Sequence, residues 1–234
     1  VVGQNRRWDE DYLVMKKLYD EKTIGDVFHI ESKVHGSRGI PGDWRAEKEF
    51  GGGMLLDWGV HLVDRILLMI PEKVTSLYCQ FTHITNNRVD DGFRLSLTFE
   101  SGRTALLEVG TSHFINMPLW YMNGTSGTAV IQNWNMEGKI VKLTSTEGSH
   151  DAAPIVAGAG LTKTMAPRVV GDLTTTEEPL PRVPTDIRDF YLNVLDAIEG
   201  KADIIVKNSE VMRVMKLLEA CFESVENNQV VPFE

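Results

Sequence analysis

A chain of 234 residues, 42% hydrophobic and 24% charged, has ordinary globular composition and enough length to bury a sizeable core. Its 33 acidic against 24 basic residues give a net charge of −9, which excludes the basic footprint of a nucleic-acid or anionic-membrane partner and points to a small molecule. Cys79 and Cys221 stand far apart without metal-ligand spacing, so they read as two buried thiols in a reducing compartment, expected to be the cytoplasm.

The opening VVGQNRRWDE has neither the charged-then-apolar order of a secretory signal nor an initiating Met, so residues are expected to precede it. In DEDYLVMKKLYDEKTIG, Tyr12, Met15, Leu18 and Tyr19 recur at helical spacing, with closure near Gly25. DVFHIESKVHG alternates as a strand does, and a Gly/Pro-rich loop, SRGIPGDWRAEKEF, then carries Trp44 and Arg45 toward the glycine run at 51–53. MLLDWGVHLVDRILLMI is the most apolar stretch, yet its two Asp, one His and one Arg make it a core helix rather than a membrane span.

Beyond Pro71 the period becomes two: VTSLYCQFTHI, then Phe93, Leu95, Leu97 and Phe99 on one face, a Ser101-Gly102 turn, and Ala105, Leu107 and Val109. PLWYMNGTSGTAVIQNW and GKIVKLTST continue the run to five or six strands without an intervening helix, which predicts an α+β fold rather than a βαβ array. Two amphipathic helices are expected to cover one face of this sheet. DIRDFYLNVLDAIEG presents Phe190, Val194 and Ile198; SEVMRVMKLLEACFESVENN presents Val211, Met215, Leu218, Phe222 and Val225. Residues 148–184 are rich in Gly, Pro, Ala and Thr without a period and read as a long loop, either a lid, a partner contact or disorder. Gly158-Ala159-Gly160 imitates the start of a dinucleotide fingerprint, but Lys163 occupies the third glycine position and no strand-to-helix context surrounds it; GTSG at 124–127 reads as a hairpin turn.

The chemistry concentrates after the glycines. Three consecutive glycines suggest close approach, here expected to be a ligand's. Asp57, His61 and Asp64 follow at i, i+4 and i+7, one stripe of an otherwise apolar helix, where buried charges must satisfy one another or face a cavity. Asp57, near the positive helix end, is the expected orienting partner of His61, a pairing that would strengthen the imidazole's hold on a proton. Such a group can exchange a proton with a hydroxyl during alcohol–carbonyl interconversion, the hydride passing to a cofactor because no side chain accepts it. A satisfied core Asp–His pair and a metal site remain alternatives. The metal reading is weakest, because no second His or Cys lies near, and His35 and His113 would have to contribute from a distance.

The segment GGGMLLDWGVHLVD resembles the GGG-x-x-x-D-x-G-x-H-x-x-D segment of the glucose-fructose oxidoreductase / inositol dehydrogenase / rhizopine-catabolism (Gfo/Idh/MocA) family. WR before it, the NRRWDEDY opening, the IGDV strand entry, DAIEGKADIIV and LLEACFESVENNQVV are similar to that family too. The resemblance implies the C-terminal half of a two-domain oxidoreductase: residues 1–234 as a single substrate-binding and dimerisation domain, with an open, mainly antiparallel sheet covered on one face by helices as in the dihydrodipicolinate-reductase-like C-terminal domain. NAD or NADP would be held mainly by an N-terminal Rossmann domain lying outside this sequence, and the family's Glu-Lys-Pro lysine does not precede Asn5, so the chain alone is expected to be inactive. By the same resemblance His61 is the proton donor or acceptor and Asp57 its orienter or a hydroxyl contact, with Asp64 anchoring the helix. Trp44, Arg45, Arg6, His113 and Trp120 are candidate substrate contacts, no metal is expected, and the open sheet face near Phe114, Ile115, Met117 and Trp120 is the expected homodimer or homotetramer contact. The substrate class is a sugar, polyol or related hydroxy compound. A redox-assisted NAD-dependent glycoside hydrolase and a non-catalytic sheet-dimer module are the rival readings.

Overall fold

The computed structural model describes residues 1–145, 155–163 and 174–234. Helix α1 (Glu10–Asp20) forms where Tyr12, Met15 and Leu18 give it a buried stripe, and it leads into strand β1 (Val27–His35). The apolar helix follows as a π-helical turn, Leu55–Gly59, continuing into α2 (Val60–Met69). Strands β2 (Val74–Thr82), β3 (Gly92–Phe99), β4 (Thr104–Gly110), β5 (Trp120–Gly124), β6 (Gly127–Ile131) and β7 (Gly138–Leu143) come next. The chain closes with α3 (Arg188–Ile198), α4 (Asn208–Asn227) and a short strand, β11 (Val231–Pro232).

The expected structureless segment 148–184 lies partly outside the described residues. Within them it is corrected: β8 (Ile155–Gly158) and β9 (Leu161–Lys163) form a hairpin, and β10 (Thr175–Pro179) edges the main sheet against β7. A sheet-edge strand such as TTEEP has little core to face, so it carries no apolar period and backbone pairing alone defines it. Gly158-Ala159-Gly160 therefore belongs to a hairpin, and Gly124 and Gly127 flank the β5–β6 turn.

Among the described residues nine strands make one sheet in the order β10-β7-β6-β5-β1-β4-β3-β2-β11, antiparallel except where β1 lies parallel to β4. Alternation sends Ile30, Leu95, Leu107, Met122 and Ile140 to one face, where they are buried under α1, α2 and α4. The other face carries Glu31, Arg94 and Tyr121, and among the described residues the helices pack on the first face, as an α+β layer predicts. The terminal helices sit slightly rotated from expectation. Phe190 and Val194 join a small cluster with Val206 and Val211, but Ile198 is exposed; on α4 the buried set is Val211, Val214, Leu217, Leu218, Ala220, Cys221 and Ser224, leaving Met215 and Phe222 about 40% exposed. The reason is that α4 packs against both β2 and α2, and two contacts demand a wider face than one stripe. No helix among the described residues is long and apolar enough to cross a membrane.

Candidate functional site

The glycine run solves a packing problem of the chain itself. Gly53 has φ +107°, and a Cβ there would stand 2.1 Å from the Asp90 carboxylate; a Cβ on Gly52 would stand 2.4 Å from the Arg45 carbonyl oxygen. The close approach is thus by the chain's own groups, which corrects the expectation that a ligand required it. Asp90 uses the gap to cap the helix from another element: its carboxylate accepts the Leu55 N–H at 2.8 Å and its carbonyl accepts the Met54 N–H at 3.1 Å. Burial pushes this carboxyl up to about 6 despite those bonds.

A cavity of about 530 Å³ opens where β1 and β4 end, between His35–Gly36 and Val109–Thr111 on one side and Arg6, Arg45, Asp57, Trp58 and His61 on the other. Such a volume suits a sugar-sized molecule. Arg6 lays its guanidinium 4.0 Å from the Trp58 ring centre and bonds Asp9 at 3.1 Å. Arg45 donates through Nε to Asp57 at 2.9 Å and through a terminal nitrogen to Asp43 at 2.8 Å.

His61 does not pair with Asp57. Its Nδ1 lies 2.9 Å from Oε1 of Gln4, and burial, then the charges of Arg6 and Arg65, lower its pKa to about 4. The stronger hold on a proton expected from an Asp57 partner is thereby reversed. The physical reason is local: the wide π turn at Leu55–Gly59 breaks the i, i+4 stacking an α-helix would give, and Arg45 captures the carboxylate. Asp64 does anchor the helix, accepting two bonds from Arg7 at 2.8 and 2.6 Å, while Arg7 also reaches Glu210 at 2.7 Å.

The remaining candidates separate. Arg6 and Arg45 line the cavity; Trp44 does not, and instead stacks under the Arg45 guanidinium at 4.5 Å, 43% exposed. Trp120 is corrected outright. It is fully buried on the helix-covered face, its Nε1 donating to Asp11 at 2.7 Å, because it falls on the same side of β5 as the core residue Met122. His113 packs on the uncovered face, its ring stacked on His35 at 4.0 Å and its Nε2 3.3 Å from Glu108. These three residues bring potential ligand atoms within 4.8 Å of one another, the one such group among the described residues. Two contacts work against an ion there: Arg94 holds the Glu108 carboxylate at 3.1 Å, and the Met117 N–H donates to His35 Nδ1 at 3.2 Å, which leaves the ring proton on the nitrogen facing Glu108. Although burial pushes Glu108 up, His35 and Arg94 hold it at about 2.

Gln4, Asp90 and Trp58 are the residues that sequence reasoning missed. Gln4 and Asp90 lie 57 and 35 positions from their partners, so no spacing rule reports them. Trp58 sits inside the glycine–Asp–His motif and was readable as a cavity wall.

Residues 12–130 match the GFO/IDH/MocA C-terminal domain. The chain is 25% identical to scyllo-inositol 2-dehydrogenase (NADP(+)) IolW of Bacillus subtilis, over all of the chain and 64% of that protein. It is 28% identical to an oxidoreductase of Schizosaccharomyces pombe, over 99% of the chain and 66% of the relative, so it spans just under two thirds of the length of these relatives. Among solved structures it resembles an NAD-binding protein from Listeria innocua with TM-score 0.89 and 48% identity, covering 98% of this chain and 65% of that one. A match across half the chain, which includes the segment that holds Asp57 and His61, places the chain in the Gfo/Idh/MocA oxidoreductase family.

Proposed function

We propose that this chain is the substrate-binding and dimerising half of an NAD(P)-dependent oxidoreductase acting on a sugar, polyol or related hydroxy compound in the cytoplasm, with His61 exchanging the hydroxyl proton. The carrying observation is the imidazole at the wall of a cavity of about 530 Å³ whose polar lining includes the Arg45–Asp57 pair and Arg6, itself paired with Asp9. Paired charges of this kind both donate and accept, which suits a neutral polyhydroxylated molecule, and Trp58 supplies an apolar face for a sugar ring. The name of the B. subtilis relative points to the same substrate class.

The chain covers 64% of the B. subtilis dehydrogenase and 65% of the Listeria NAD-binding protein, which supports assigning the cofactor's main contacts to residues outside this sequence. A bound nicotinamide would supply the hydride acceptor or donor. The chain's own residues do the rest: His61, neutral at pH 7, takes the proton of a substrate hydroxyl, and Asp57 with Arg45 orients the neighbouring hydroxyls. The uncovered sheet face and the exposed Phe114 and Ile115 support contact with a second copy, checked by light scattering.

The decisive experiment is His61→Asn in the parent protein, assayed with a panel of polyols and both nicotinamide nucleotides. Loss of turnover by about 10²- to 10⁴-fold is expected. Unchanged turnover with an unchanged pH profile would remove the acid–base role.

A further inference from the structure

The group that holds the His61 ring is an amide, and an amide acts differently from the carboxylate that usually backs a catalytic histidine. Gln4 is only 2% exposed, and its orientation is set by two contacts: Nε2 toward the Val60 carbonyl at 3.5 Å and Oε1 toward His61 Nδ1 at 2.9 Å. With its NH₂ spent on a carbonyl, Gln4 presents only an acceptor to the imidazole, so the proton of the neutral ring resides on Nδ1 and Nε2 keeps its lone pair. Among the described residues no hydrogen bond engages Nε2.

The charges around the ring act in the same sense. Arg6 comes from the turn at residues 5–8 and Arg65 from the next turn of α2, and both oppose a positive ring. Of the two carboxylates along the same helix, Asp57 is engaged by Arg45 and Asp64 by Arg7, and β1 contributes His35 across the cavity. Asp9 bonds Arg6, while Asp11 lies 3.3 Å from Arg65.

We propose that Gln4 is a positioning residue that locks His61 in its Nδ1–H tautomer and, being uncharged, keeps Nε2 a hydrogen-bond and proton acceptor, so that the cavity receives its ligand through an O–H donated to Nε2. This assignment rests on the reading of His61 as the acid–base group and narrows it: at neutral pH the site starts as a base, suited to a hydroxyl rather than to a carbonyl awaiting an imidazolium. The low proton affinity of the ring agrees with it.

Long-range ¹H–¹⁵N spectra of the labelled full chain test the assignment without substrate or cofactor. Between pH 8 and 5.5, His61 should show a protonated Nδ1 and an unprotonated Nε2. Gln4→Glu, which replaces the amide by a carboxylate, should raise the proton affinity of His61 by about tenfold or more, and Gln4→Leu, which removes the acceptor, should shift the tautomer toward Nε2–H. A wild-type ring protonated on Nε2 overturns the proposal, as does a Gln4→Glu titration that superimposes on wild type. Should a variant fail to fold, the wild-type tautomer decides alone. If His61→Asn retains turnover while the Nδ1–H tautomer is observed, the catalytic reading falls and the positioning role of Gln4 stands.

Discussion

Arg7 and Asp64 face each other almost without solvent, at 7% and 2% exposure, with two bonds of 2.8 and 2.6 Å. Removing both ions from water offsets much of their attraction, so the pair contributes little net stability, whereas half of it would be strongly unfavourable. Arg7→Met should therefore destabilise the fold by about 3–5 kcal/mol in urea unfolding, and Arg7→Met with Asp64→Leu by clearly less. Equal losses would show that Arg7 acts through packing rather than charge. The cavity pairs differ, because Arg45 and Arg6 are about one-third exposed through their side chains and water screens them. Their use is orientation, so substitutions there are expected to act on binding more than on folding.

The helix entry makes a sharper prediction at the scale of one element. Gly51 and Gly53 both have positive φ, +73° and +107°, but a Cβ on Gly51 meets nothing within 4 Å, while one on Gly53 meets Asp90 at 2.1 Å. Gly51→Ala should cost only the backbone strain, about 1–2 kcal/mol. Gly53→Ala should cost more, because Asp90 must withdraw from the Leu55 N–H that it caps and leave that donor buried. Thermal melts of the two variants separate these effects; similar values would mean that Asp90 does not depend on Gly53. The same entry holds the π turn that separates Asp57 from His61, so displacing the cap should reach the cavity as well.

Across the whole molecule, two buried groups set opposing responses to acid. His61 takes up a proton near 6.5 when unfolded and only near 4 when folded, so its contribution is full above pH 6.5 and is lost as pH falls toward 4. Asp90 titrates near 3.8 unfolded and near 6 folded; its contribution is present in acid and is lost as pH rises through 6. Each is on the order of 3 kcal/mol, and between pH 6.5 and 4 they nearly cancel. Asp90→Asn keeps a cap oxygen and should expose a loss of stability on acidification, whereas His61→Asn should expose a gain. Urea unfolding at pH 7, 5.5 and 4.5 reads both, and parallel curves for wild type and variants would refute the compensation.

What the sequence determined by itself was periodic or local. Alternating Phe93, Leu95, Leu97 and Phe99 fixed a half-buried strand, Tyr12, Met15 and Leu18 fixed α1, and the glycine–Asp–His spacing located the cavity wall and the family. These follow from side-chain geometry along one element, which needs no knowledge of what lies opposite. Only the tertiary structure decided the partners: Gln4 rather than Asp57 for His61, Arg45 for Asp57, Asp90 for the helix end, and the core rather than the cavity for Trp120. A buried polar group is satisfied by whichever donor or acceptor the packing brings within about 3 Å, and these pairings join residues 12 to 109 positions apart.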